Sequence, residues 1–150
     1  MSRTIKSHSA GLKHVGIFEP VDMTPYVIGK VTEGLEVAKI ICHSASVKAG
    51  WWNDLQTGAP LDRNAGELLC LIHSEVSEAM EGERKDLMDD KLPNRPMVEV
   101  ELADALVRIF DYAGAKGLDI AGALIEKMQY NQSRADHQVE NRVKEGGKQF

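Results

Sequence analysis

The chain has 150 residues and a formal net charge of -5, with 43% hydrophobic but only 5% aromatic residues, so a single domain with an aliphatic core is expected. The acidic balance and the lack of a long basic block exclude nucleic acid as the main partner, because phosphate-backbone binding needs clustered positive charge. No apolar run approaches the roughly 20 residues of a membrane span, and the polar stretch Met1–Lys13 lacks the apolar core of a secretory signal, so the expectation is a soluble, cytoplasmic protein with Cys42 and Cys70 reduced and buried.

Residues 1–23 mix Ser, Gly, Lys and His with one apolar patch, Val15–Phe18, and form an N-terminal arm without assignable chemistry. Asp22 or Thr24 before Pro25 is a helix-start signal, since proline tolerates the first turn. The first helix is expected to run to about Ala49 and stop at Gly50, with Ile28, Val31, Leu35, Ala38, Cys42 and Ala45 as its apolar seam. A loop holding Trp51 and Trp52 follows. Asp62 or Asn64 caps a second helix, predicted to end near Glu81 with Gly82 as its stop. Glu83–Pro96 is charged, proline-punctuated and aperiodic, a connector. A third helix over about Met97–Ala115 carries Val98, Leu102, Ala105, Ile109 and Tyr112 as its apolar face, and Gly117 closes it. Asp119 starts a fourth helix that fades near Arg134, and residues 137–150 form a polar, basic, mobile tail. No strand period appears. The predicted fold is all-α, a four-helix bundle-like domain over residues 24–136.

Within the second and third helices the apolar stripe is interrupted by paired acids. Glu75 and Glu78 follow Leu68, Leu69, Leu71 and Ile72, and Glu101 and Asp104 lie among Val98, Val100, Leu102, Ala105 and Leu106. Residues three apart share a helical face, so each pair aims its carboxylates one way. Asp86 and Asp89 have the same spacing and count as one of the pairs expected by chance in a chain this rich in acids. Two carboxylates ~5 Å apart repel by ~3 kcal/mol at an effective dielectric near 20, so facing pairs must take up protons or bind a cation. An all-oxygen ligand set selects a hard ion, Mg²⁺ or Mn²⁺, which favours substrate phosphates as further ligands. Lys127, Asn131 and Arg134 stand at i, i+4 and i+7 on the fourth helix, a stripe of donors able either to grip phosphate oxygens or to form a polar outer face. Arg63 and Asn64 could do similar work or cap the second helix.

Glu75-x-x-Glu78, a 22-residue spacer and Glu101-x-x-Asp104 together resemble the signature of the MazG-like all-α nucleoside triphosphate pyrophosphohydrolases. Trp51–Trp52, Arg63–Leu68, Ser74–Ala79 and Lys127-x-x-x-Asn131-x-x-Arg134 look like further blocks of that family in family order, and the resemblance covers residues 28–137. It implies hydrolysis of a (d)NTP to the monophosphate and pyrophosphate, with Glu75, Glu78, Glu101 and Asp104 as Mg²⁺ ligands. Glu75 or Glu78 would act on the attacking water. Lys127, Asn131 and Arg134 would hold the triphosphate, with Arg142, Lys144 or Lys148 of the tail closing over it. His43 and Trp52, nine residues apart, resemble positions that contact the base, and Arg63, Asn64 and Arg108 complete the base and sugar set. The resemblance also implies a homodimer or homotetramer, in the host cytoplasm for a phage-borne member.

Two departures accompany the resemblance: residues 1–23 have no counterpart, and Arg108 stands where some relatives carry an aromatic. Arg108 could pair with Asp104 and Asp111 or point at substrate. Guanine nucleotides, dGTP and GTP, are the first guess for the substrate. The alternatives are a dUTPase-like or phosphoribosyl-ATP pyrophosphatase activity, or a catalytically silent helical dimer that senses nucleotide.

Overall fold

The computed structural model describes residues 21–144 and Gly146; residues 1–20 of the expected 1–23 arm, and Lys148, lie outside the described residues. Helices α1 (Pro25–Lys48), α2 (Ala65–Lys85), α3 (Met97–Lys116), α4 (Ile120–Ser133) and the short α5 (Val139–Arg142), with a 3-10 turn at Ala135–His137, make the fold all-α. No described helix is long and apolar enough to cross a membrane.

The helix starts follow from local capping. Thr24 accepts from Val27 N–H ahead of Pro25, Asn64 accepts from Gly66 and Glu67 N–H, and Asp119 accepts from Gly122 N–H. Each such cap stabilises its helix by about 1 kcal/mol. Asn64 is thus a capping residue, with its carboxamide oxygen committed at 2.8 Å and 3.2 Å to the first turn of α2.

Gly82 does not end α2. The helix continues to Lys85 and closes on Asp86, a non-glycine residue at φ 52°. Gly82 instead lets α3 approach: a Cβ there would lie 2.9 Å from Met97 Cβ and 3.1 Å from Val98 N. The chain then turns through Asp89, which is buried and accepts from the backbone N–H of Lys91 and Leu92. Asp86 and Asp89 therefore serve the turn. The expected mobile tail begins instead as structure, with α5 over Val139–Arg142.

Helix α3 packs against both α2 and α1, and α4 packs chiefly against α1, giving the order α2–α3–α1–α4. The enclosed residues are mostly small: Leu68, Ala79, Ala105, Ala113, Ala121 and Ile125. No large side chain among the described residues is fully enclosed. The predicted face of α3 is rotated by about one position. The buried line of α2 runs through Leu68, Glu75, Ala79 and Gly82, and that of α3 through Glu101, Ala105 and Ala113, while Leu102 is 49% exposed. Cys70 is exposed, contrary to the sequence-based expectation, and Cys42 is half-buried; both are free thiols.

Candidate metal centre and its surroundings

Phase decides the site. Because α2 and α3 meet through Ala79, Gly82 and Ala105, the residues in the same line, Glu75 and Glu101, are carried into the interface and left 6% and 8% exposed. Glu78 stands at the solvent edge of the same seam. Carboxylate oxygens of Glu75, Glu78 and Glu101 all lie within 4.8 Å of one another. Asp104 is exposed and outside that group of three, yet close enough for its charge to act on Glu101.

The electrostatics follow from the crowding. Burial, then a hydrogen bond with Glu75, then the charges of Glu78, Glu75 and Asp104 push the Glu101 carboxyl up to about 7. Glu75 is met by one cation: Arg108, on α3, donates its Nε–H to Glu75 Oε1 at 2.6 Å. Arg108 therefore pairs with neither Asp104 nor Asp111, the partners that sequence left open. The donor set is oxygen only, close-spaced, shared by two rigid helices and short of positive charge. It fits a hard divalent cation such as Mg²⁺ or Mn²⁺ better than zinc, for which sulfur or imidazole ligands are usual.

A second cluster lies at the junction of α1, α3 and the loop after α1. Asp111 Oδ1 accepts from His43 Nδ1–H at 2.8 Å and from Trp52 Nε1–H at 2.8 Å. The two rings meet edge-on, with centroids 5.7 Å apart, and the Arg63 guanidinium sits 5.4 Å from the Trp52 ring centre. Three residues assigned to the base and sugar set, His43, Trp52 and Arg63, thus do assemble. Their organiser, Asp111, was noted in the sequence only as a partner for Arg108. The imidazole Nδ1–H is fixed by the carboxylate, so the neutral ring presents Nε2 as an acceptor. Trp51, by contrast, is exposed. Burial, and secondarily the Asp111 charge, push the Cys42 thiol up, which keeps it protonated and unreactive. Shallow concavities border this region, one along Gly50, Trp51, Asp54, Leu61 and Arg63, another along Asp62, Arg63, Asn64 and Lys116.

The α4 stripe is not gathered with the acids. Lys127 Nζ and the Arg134 guanidinium flank the Tyr130 ring at 5.0 Å and 5.9 Å. Arg134 closes α4 and makes a bidentate pair with Asp136, at 2.9 Å and 2.6 Å. Asn131 Oδ1 is enclosed without a hydrogen-bond donor. Since α4 packs chiefly on α1 and α2 packs on α3, the stripe lies at the opposite end of the helix row from Glu75 and Glu78. Of the tail cations, Arg142 and Lys144 are exposed.

Comparison with protein-family models, with curated proteins and with solved structures finds no match for this chain.

Proposed function

We propose that the chain is a Mg²⁺-dependent nucleoside triphosphate pyrophosphohydrolase of the MazG-like all-α type, converting a (d)NTP to the (d)NMP and pyrophosphate in the cytoplasm. The observation that carries this reading is the convergence of Glu75, Glu78 and Glu101 from two helices to within 4.8 Å, in the order and spacing that resemble the family signature. These carboxylates, with Asp104 beside them, would hold Mg²⁺, which would supply charge neutralisation at the phosphate oxygens and the leaving pyrophosphate. Glu78 is proposed to take the proton of the attacking water, because it is exposed to solvent while Glu75 and Glu101 are buried in the seam. A bond forms from the water oxygen to the α-phosphorus, the bond to the bridging oxygen of pyrophosphate breaks, and the water proton passes to Glu78.

Trp52 and His43, braced by Asp111, are proposed to receive the base. A stacked tryptophan contributes about 1–3 kcal/mol per base. Lys127, Asn131 and Arg134 grip the triphosphate, which requires Arg134 to leave Asp136 and α4 to approach the acids from a second copy of the chain. The same second copy would cover Leu69, Val76 and Met80 on α2 and Leu102 and Leu106 on α3, all exposed apolar side chains. A homodimer or homotetramer is thus part of the proposal.

The test is product identification. Purified protein with Mg²⁺ and each canonical and modified (d)NTP, dGTP and GTP first, should yield monophosphate and pyrophosphate from at least one, with loss of turnover in EDTA and in Glu78→Gln. An intact panel overturns the enzyme reading, and nucleotide binding without turnover favours a sensor. Hydrolysis confined to dUTP or phosphoribosyl-ATP assigns the activity to another branch of the superfamily.

A further inference from the structure

We propose that Arg108 is a latch on the carboxylate cluster: it occupies Glu75 while the cluster is unloaded, must release that oxygen before Glu75 can serve as a ligand, and then turns its guanidinium to the phosphates. This inference rests on the metal-centre reading above. The contact is a short, charge-assisted one between helices, Nε to Oε1 at 2.6 Å, bridging 33 residues of sequence. Its two ends differ in freedom. The Glu75 side chain is 8% exposed and fixed in the α2–α3 seam, whereas that of Arg108 is 42% exposed, so the arginine is the partner that can move.

Only the Nε–H of the guanidinium is engaged among the described residues. The remaining donors of the fork are left over for an acceptor with several oxygens, and a phosphate provides that geometry. The surroundings define both states. The charges that act on Glu101 are those of Glu78, Glu75 and Asp104, all acidic. In the unloaded cluster the guanidinium is the counter-charge that keeps Glu75 in place. Once a divalent cation supplies that charge, the guanidinium is electrostatically redundant at Glu75 and would be repelled from it. Arg108 would therefore oppose metal binding alone and favour metal together with a polyphosphate.

The experiment is a Mn²⁺ titration without nucleotide, followed by electron paramagnetic resonance, on wild type, Arg108→Met and Arg108→Gln, with folding checked by circular dichroism. Both uncharged variants are expected to bind Mn²⁺ about tenfold more tightly than wild type, the size of one partly screened charge at this range. With Mn²⁺ saturating, both are expected to bind inorganic tripolyphosphate about tenfold more weakly. Unchanged or weaker Mn²⁺ binding in both variants while wild type binds overturns the latch and leaves the metal centre standing. Absence of Mn²⁺ binding in all three proteins overturns both. Tripolyphosphate affinity equal to wild type overturns the second position of the arginine.

Discussion

Gly114 of α3 lies directly against His43 of α1, so close that a Cβ on Gly114 would fall 2.5 Å from His43 Cβ and 2.7 Å from its Cγ. That approach is what brings the imidazole within reach of Asp111, less than one turn earlier on α3. The atoms in the way belong to the root of the histidine and cannot swing aside. Gly114→Ala is therefore expected to destabilise the fold by about 1–3 kcal/mol, the usual cost of overpacking. Gly29→Ala, where nothing lies within 4 Å, is expected to stabilise by about 0.5–1 kcal/mol through helix propensity. Urea unfolding of the pair checks this. Equal midpoints for the two variants contradict the close approach.

Asp111 holds two donors on one oxygen, His43 Nδ1–H and Trp52 Nε1–H. Removing the carboxylate leaves two half-buried donors without it, at a cost of about 1–3 kcal/mol each when unsatisfied and less where water enters. Asp111→Ala is expected to lower stability and to shift Trp52 emission to the red as the ring loosens, read in a Trp51→Phe background. An unchanged spectrum together with an unchanged unfolding midpoint would show that the cluster is incidental.

The pH dependence of stability follows from Glu101, whose carboxyl is pushed up to about 7 by burial, Glu75 and the neighbouring charges. The unfolded chain releases this proton near the ordinary glutamate value of about 4.3. Between those two values the folded state binds more protons than the unfolded one, so this group makes stability fall as pH rises through the window and level off above about pH 7. Without divalent cations, wild type is expected to melt at lower temperature at pH 7.5 than at pH 5 by more than Glu101→Gln does, and Mg²⁺ in excess should remove the difference. A wild-type slope no steeper than that of Glu101→Gln contradicts the assignment.

Association is expected from the packing. With no large side chain fully enclosed among the described residues and with Val76, Met80 and Leu106 exposed, burial of each such side chain in a second copy contributes up to about 1.5–3 kcal/mol. Sedimentation at micromolar concentration should give a dimer or larger, and Val76→Glu should shift it toward monomer. A monomeric wild type at that concentration contradicts the proposed second copy.

The starts of α1, α2 and α4 were legible to within two residues because capping is local: Asp22 or Thr24 before Pro25, Asp62 or Asn64, and Asp119 offer caps by residue type, and Thr24, Asn64 and Asp119 take them. So was the meeting of Glu75 and Glu78 with Glu101 across α2 and α3, though Asp104 stays outside the group. Helix phase was legible for the acids and not for the leucine beside them: Glu101 lies in the seam as the acid pairing requires, whereas Leu102, which its hydrophobicity puts inward, is exposed. Gly82 looked like a terminator, since a glycine that ends a helix and one that lets another helix near are the same letter. Asp111 was visible as the last of Asp104, Arg108 and Asp111, one turn apart in succession. Its true partners come from α1 and the following loop, and nothing in its own helix indicates them. The α4 stripe kept its spacing, but which helix it faces is a tertiary matter.

The most direct measurement is anomalous diffraction from crystals soaked in Mn²⁺. The expected result is a peak in coordination contact with carboxylate oxygens of Glu75, Glu78 and Glu101, with Arg108 turned away from Glu75. No peak at that point, with the Arg108–Glu75 contact intact at high Mn²⁺, would contradict the metal centre on which the proposed chemistry stands.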